Sequence, residues 1–434
     1  MTVTDSGGPR RDPEAGPAGP RSPSEDTNEQ RRRWVRLVAV FGPGLMVMLA
    51  DTDAGSLVTA AQSGAQWSYR LVLPQLALIP ILDVIQDVTV RLGSSPAGGH
   101  GALIRRHFGR NWALLSGGTL FVACIGALIT EFAGIAGAGQ LAGLPPWLTV
   151  PPAALALCLL VVRGRYRRIE AVGIIVGLLE LAPIPAAVLA HPSGSALVHG
   201  LAHPVAFQSS YLTLLAAKVG AVIMPWMVFY QQQAVVDKGL QQADLKLAKV
   251  DTAVGSVLTQ VVMLAVVVAT AATIGRTDPG ASLDTIGQIA KALVPFLGNR
   301  DANVLFGLGM VGAAVVAALV VAVAGAWGLS EVLGWRHSFN DRLSHARAFY
   351  AVCAGGLIVS AAAVVTDHQL VNLSVDVQVM NALLLPVVLG FLLVLERRAL
   401  PDEHRTHGLR TWVLWVLAGG VTAIGVYAAV GGVA

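Results

Sequence analysis

Asp51-Thr52-Asp53-Ala54-Gly55-Ser56 sits at the centre of an apolar, membrane-length segment, about 38–65. Ala221-Val222-Ile223-Met224-Pro225 sits at the centre of another, about 212–236. A carboxylate at bilayer depth costs at least ~2.5–3.5 kcal/mol, so a chain rarely keeps one there without a use. Pro225 has no N–H, which leaves the carbonyl of Ala221 without its helical partner and open to a ligand. Met224 adds a soft thioether beside that break. In the other segment Asp53 offers a hard anionic oxygen and Ser56 a hydroxyl, and Gly55 is expected to supply backbone angles closed to other residues. A carboxylate, a carbonyl, a hydroxyl and a thioether form a mixed hard and soft shell for a divalent first-row metal ion. The plainer reading of Met224-Pro225 is a proline kink with a packing methionine; Asp53 in the partner segment favours the ion. Broken helices in corresponding halves of a membrane protein point to a transporter's binding site.

The elements that must position these residues are helices in a bilayer. The chain has 434 residues, of which 54% are hydrophobic and only 13% charged, against ~25% charged in an average soluble domain. Mean hydropathy is +0.64 and the pI is near 9.1. The basic residues form short clusters between apolar segments rather than one patch, which speaks for membrane topology and against a nucleic-acid partner. Cys124, Cys158 and Cys353 lie far apart in apolar runs with no C-x-x-C spacing, so they read as core hydrophobes rather than disulfides or zinc ligands. No resident cofactor is implied; a metal ion would be the transported substrate. Residues 1–35, rich in Pro, Gly, Ser and charge, read as a disordered cytoplasmic tail rather than a signal peptide. Residues 36–398 read as a transporter core of ten helices, and 399–434 as a cytoplasmic loop with an eleventh helix.

Stretches long enough to cross ~30 Å of hydrocarbon fall at about 38–65, 71–92, 112–140, 147–162, 169–190, 210–236, 251–275, 303–332, 347–366, 371–395 and 411–431. With the N-terminus inside, the cytoplasmic loops hold Arg105 and Arg106, then Arg163 to Arg168, Lys238 to Lys249, Arg336 to Arg347, and Arg397 to Arg410. The opposite loops hold only Arg70, Arg276, Lys291 and Arg300. That alternation supports a multi-pass protein of the cell membrane with a cytoplasmic N-terminus. The first and sixth helices are the broken ones. A five-helix unit inverts its second copy, so the expectation is an all-α, LeuT-like 5+5 inverted repeat with the site near the midplane.

These residues carry a family resemblance. The chain resembles the NRAMP (natural-resistance-associated macrophage protein) divalent-metal transporters. The family's first-helix motif, D-P-G-N, is similar to Asp53-Ala54-Gly55-Ser56, and its sixth-helix motif, A-x-x-M-P-H-N, to Ala221-Val222-Ile223-Met224-Pro225-Trp226-Met227. Gln86 through Gly93 and Arg105-Arg106-His107-Phe108-Gly109 add support. The resemblance implies that Asp53, Ser56, the Ala221 carbonyl and Met224 hold the ion. Departures are equally specific. Ser56 replaces the family's Asn, Trp226 and Gln231 stand where it has histidines, and Leu128 replaces the first acid of its helix-three pattern while Glu131 keeps the second. A proton relay needs groups that titrate. The expectation is therefore metal transport without obligatory proton coupling, similar to the NRAMP-related magnesium transporters. Met224 argues for a softer ion than Mg²⁺, so Mn²⁺/Fe²⁺-type ions and Mg²⁺ both stay open.

Other polar residues have two readings each. Asp51 raises the negative potential for a hydrated ion or simply ends the first half-helix in water. Gln378 and Asn381 supply an oxygen to an occluded ion or join helices by hydrogen bonds. Asp51, Glu131, Trp226, Gln231 and Gln378 are thus further ion-path candidates. Asp83, Asp87 and Arg91 read as an i,i+4 salt-bridge series or as the lining of a vestibule, Glu180 as an isolated buried acid, and Lys218 as a side chain snorkelling outward. The rival function is a carrier of an organic solute, such as an amino acid, on the same architecture. An enzyme is not expected, because no H-E-x-x-H or G-x-S-x-G motif is present.

Overall fold

A computed structural model describes residues 43–95, 98–163, 178–203, 208–283, 285–291, 299–335, 343–366 and 369–431. The expected tail, 1–35, lies outside them. Among the described residues the ordered elements are helices, with no strand. The first membrane segment divides into α1 (Pro43–Asp51) and α2 (Ala54–Trp67), followed by α3 (Val72–Gly93). A short α4 (His100–Phe108) leads to α5 (Arg110–Leu141) and α6 (Pro146–Arg163). After a 3-10 turn, Leu178–Leu181, come α7 (Pro183–Leu189) and α8 (Gly194–Ala202). The second broken segment is α9 (Ser209–Val222) and α10 (Pro225–Asp237). Then follow α11 (Leu245–Ala272), α12 (Asn299–Leu333), α13 (Arg347–Thr366), α14 (Leu370–Ala399) and α15 (Leu409–Gly431).

Eight helical stretches among the described residues are long and apolar enough to span a bilayer, one of them running through α2 and α3 together. Most expected spans match a helix within a few residues. The short fourth span is a continuous helix, α6, in spite of Pro151 and Pro152. Of the fifth, 169–190, the described part is the 3-10 turn and α7, and the rest lies outside the described residues. The count of eleven is therefore an expectation for the whole chain, not a feature of the described part.

Each break has a local cause. Thr52 donates its N–H to the Leu49 carbonyl at 3.1 Å, which tightens the last turn of α1. Asp53 is extended (φ −78°, ψ 172°) and caps α2, its Oδ1 accepting the Ser56 N–H at 2.6 Å. In the second segment Met224 is extended (φ −87°, ψ 140°) because a residue before proline is pushed out of the helical region, and Pro225 then starts α10. Around the breaks α11 packs on α1, α2 and α3, α9 packs on α14, and α12 packs on α5.

Lys218 does not snorkel. It is 1% exposed, and its ammonium donates to Gln75 Oε1, while Gln75 Nε2 donates to Gln260 Oε1. This polar chain ties α9 to α3 and α11. The ammonium sits one helical turn before the break, too deep in the bundle to reach its surface.

Candidate functional site

The two breaks meet. Ser56 Oγ, in the first turn of α2, donates to the Ala221 carbonyl at 3.0 Å. The oxygen that Pro225 deprives of a helical donor is thus satisfied from the other broken segment, 165 residues away. Asp53, Ser56, Ala221 and Met224 are all at most 4% exposed, so the meeting point is shut off from solvent. Asp53 uses only Oδ1 in its cap; Oδ2 is buried with no hydrogen-bond partner. A buried carboxylate oxygen left without a donor is costly, and a cation beside it removes that cost.

Glu131 of α5 enters the same space. Its Oε2 accepts the Ala54 N–H at 3.3 Å and its Oε1 the Thr130 hydroxyl at 3.3 Å. It also lies in contact with the Asp53 carboxyl group. Both acids gather at the N-terminus of α2, where free N–H groups and the helix dipole favour negative charge. Two carboxyl groups in contact repel unless a proton or a cation lies between them. Asp51 ends α1 at 1% exposure, its Oδ2 accepting the Thr259 hydroxyl at 3.4 Å while its Oδ1 has no partner. It does not end the half-helix in water. A carboxylate at a helix C-terminus faces the unfavourable end of the dipole.

Gly55 has a different role from the one expected. It lies within α2, and its backbone is not in the left-handed region. What glycine supplies is space: a Cβ there would strike the Gln378 side chain and meet Thr130 Oγ1 at 3.1 Å. Gly220, on α9, admits the backbone of the same Gln378 equally closely. Glycines in both broken segments thus let α14 wedge between them. Gln378 Oε1 accepts from Asn381 Nδ2 at 2.9 Å, while Gln378 Nε2 and Asn381 Oδ1 have no partners. Exchanging O and N in both amides keeps that bond and turns the Gln378 oxygen toward α2; the two assignments are equivalent in shape.

The remaining candidates divide. The Trp226 indole N–H donates to Met224 Sδ at 3.2 Å, with both residues wholly buried. Gln231 lies about two turns along α10 from the break, donating to Thr252 Oγ1 at 3.3 Å, and belongs to the α10–α11 contact rather than to the ion site. Glu180, an isolated acid in the sequence, is 2% exposed with both oxygens unpartnered. Asp53 and Asp51 lie within electrostatic range of it. Only its long-range placement reveals this; nothing in its local sequence does. No cluster of three or more His, Cys, Asp or Glu side chains suited to a metal occurs among the described residues. The side chains gathered at the breaks are instead a few acids beside neutral oxygen and sulfur groups.

Two broken helices that meet at their breaks, in a nearly all-helical fold with membrane-length apolar helices, fit a secondary transporter of the LeuT-like architecture. Solved structures agree in fold. The Eremococcus coleocola manganese transporter superposes with a TM-score of 0.73 over 95% of this chain and 89% of its own, at 18% identity. MHP1, a nucleobase-cation-symport-1 family transporter, gives 0.61 over 90% of each chain at 15% identity. The chain belongs to the natural resistance-associated macrophage protein-like (Nramp) family, whose sequence model matches residues 44–431. It is 27% identical over 387 residues to the divalent metal cation transporter MntH of Burkholderia ambifaria, covering 85% of this chain and 83% of that one. It is 26% identical over 235 residues to the metal transporter Nramp3 of Oryza sativa subsp. japonica, covering 51% and 42%. Family membership makes the protein a multi-pass membrane transporter, not an enzyme.

Proposed function

We propose that this protein moves divalent metal cations, Mn²⁺/Fe²⁺-type or Mg²⁺, across the cell membrane by alternating access, without obligatory coupling to protons. Asp53 Oδ2, Ser56 Oγ, the Ala221 carbonyl and Met224 Sδ form the inner ligand set. Asp51 and Glu180 supply field, and Gln378 closes the shell from α14. The observation that carries this reading is Ser56 bridging the two breaks beside a carboxylate oxygen with no partner. In this state the hydroxyl occupies the Ala221 oxygen, and an arriving ion replaces that bond by accepting both oxygens as ligands. Relatives named as divalent metal cation transporters support the substrate class. The basic loops support a cytoplasmic N-terminus, with 1–35 as a cytoplasmic tail, 36–398 as the core and 399–434 as an appended loop and helix. A carrier of amino-acid type receives a carboxylate on half-helix N-termini; here Asp53 and Glu131 already occupy the N-terminus of α2.

Uncoupled transport follows from the residue types. Trp226, Gln231 and Leu128 do not change charge near neutral pH, and Glu131 is the one acid retained at the family's relay position. Uniport would be driven by voltage at ~2.3 kcal/mol per charge per 100 mV, or about twice that for a divalent ion. In proteoliposomes carrying a lumenal pH dye, inside-negative voltage should accelerate Mn²⁺ or Mg²⁺ uptake with no acidification. Stoichiometric acidification would instead assign a working proton site to Glu131 and reject the uncoupled reading.

A further inference from the structure

We infer that Trp226 sets the metal preference of the site by hydrogen-bonding the sulfur of Met224. The inference rests on Met224 being a ligand as proposed above. The Trp226 indole N–H lies 3.2 Å from Met224 Sδ. Both side chains are at 0% exposure, so neither group has water as an alternative partner. An indole N–H is a donor only and a thioether is a weak acceptor. A buried indole normally finds a better acceptor than sulfur; here the polypeptide places none closer, because Trp226 follows Pro225 in the first turn of α10 and faces back over the break.

The consequence is electronic. A thioether sulfur has two lone pairs, and its value to a metal is its softness. A donated N–H occupies one pair and draws density from the other. The sulfur that faces the ion is therefore a poorer soft donor than a free methionine. Asp53 Oδ2 has no backbone or neutral side-chain donor; its close neighbour is the Glu131 carboxyl group. Ser56 and the Ala221 carbonyl satisfy only each other. The balance of the shell thus moves toward oxygen, and the site tolerates hard ions such as Mg²⁺ better than its methionine alone would suggest. Trp226 acts through Met224 and is a positioning and tuning residue rather than a ligand.

The test is equilibrium binding of Cd²⁺ and of Mg²⁺ to the purified full-length protein. W226F keeps a large ring and removes the N–H. Releasing one weak hydrogen bond should raise the Cd²⁺-over-Mg²⁺ affinity ratio about three- to tenfold, mainly through tighter Cd²⁺ binding. In an M224A background the same substitution should leave the ratio unchanged, since the coupling runs through sulfur. If W226F does not fold, W226L, which also lacks the N–H, serves the same comparison. A purely structural role would weaken both ions alike. An unchanged ratio in W226F, or an equal change with and without Met224, overturns the inference. M224A alone separates the two levels. If it costs Cd²⁺ no more than Mg²⁺, sulfur is not a ligand and the ligand set itself fails; if it costs Cd²⁺ selectively while W226F does nothing, only the role of Trp226 fails.

Discussion

Two regions of this molecule bury acids, and they treat them in opposite ways. On the side of the basic loops, Asp87 of α3 is surrounded by cations. Arg91 binds its Oδ2, Lys249 of α11 lies 3.0 Å from its Oδ1, and Arg410 of α15 lies 3.2 Å from its Oδ2. Arg91 also donates to the His404 carbonyl at 3.0 Å, which draws the segment before α15 onto α3. Nearby, Glu331 of α12 accepts the Gly101 N–H of α4 at 2.8 Å, and Glu396 accepts the Thr406 N–H at 2.5 Å. At the breaks, Asp51, Asp53 and Glu180 each keep at least one buried oxygen with no partner, and no Lys or Arg pairs with them among the described residues. Lys218, the nearest cation along α9, is held by Gln75 instead. Protein cations neutralise Asp87, whereas among the described residues no protein cation neutralises the acids at the breaks.

That contrast can be broken at either end. The largest effect on stability belongs to the paired region. Asp87→Ala leaves Arg91 buried with only a carbonyl for company and should cost about 3 kcal/mol. This is the low end for a broken buried pair, because Lys249 and Arg410 are partly solvated. Thermal unfolding in detergent should show the loss, while metal affinity changes little. A large loss of affinity in a stable Asp87→Ala protein would mean that the paired acids also serve the ion.

An effect of similar size, confined to acid pH, concerns His100 of α4, outside the spanning helices. Its Nδ1 pairs with Gln232 Oε1 at 2.9 Å, its ring stands edge-on to Phe229, and burial pushes its pKa down to about 4. A group with a depressed folded pKa keeps the unfolded chain the better proton binder. Its stabilising contribution is complete above about pH 6.5 and is lost as pH falls from there toward about 4, by ~3 kcal/mol at most. His100→Gln should flatten the stability profile across that window. A profile that stays as steep would place the acid sensitivity elsewhere.

The smallest effect sharpens the unpaired side. Glu180 does not touch Asp53 through any hydrogen bond, so Glu180→Gln removes field alone. It should weaken Mn²⁺ binding about threefold, in line with a buried charge acting at a distance through a screened interior. No change would remove Glu180 from the ion's surroundings and leave its two bare oxygens to another role.

Much of the site was legible because its signals are local. Pro225 announces the bare Ala221 carbonyl four residues upstream, and an acid in the middle of an apolar segment announces Asp53. What failed to show was whatever depends on distant partners. Gly55 looked like a backbone hinge, yet it is a contact point for Gln378, 323 residues away. Lys218 looked able to reach the bundle surface, yet Gln75 and Gln260 hold it inside. Trp226 and Gln231 looked alike as replacements for titrating groups. One faces back onto the Met224 sulfur and the other points away to α11, a difference set by helix rotation after the break. Glu180 gave no local sign that it would be buried with both carboxyl oxygens unpartnered.

The central claim is that the unpaired carboxylate at the first break exists to receive a divalent metal. Its most direct test is titration of Mn²⁺ into purified wild-type and Asp53→Ala protein by calorimetry, with folding of both confirmed by monodispersity and thermal unfolding. Removing Asp53 abolishes its costly bare oxygen as well as its charge. Asp53→Ala also loses the α2 cap, at about 1 kcal/mol, so the variant should still fold, within about that margin of wild type, and show no measurable Mn²⁺ binding. A folded Asp53→Ala protein that binds Mn²⁺ with undiminished affinity would contradict that claim.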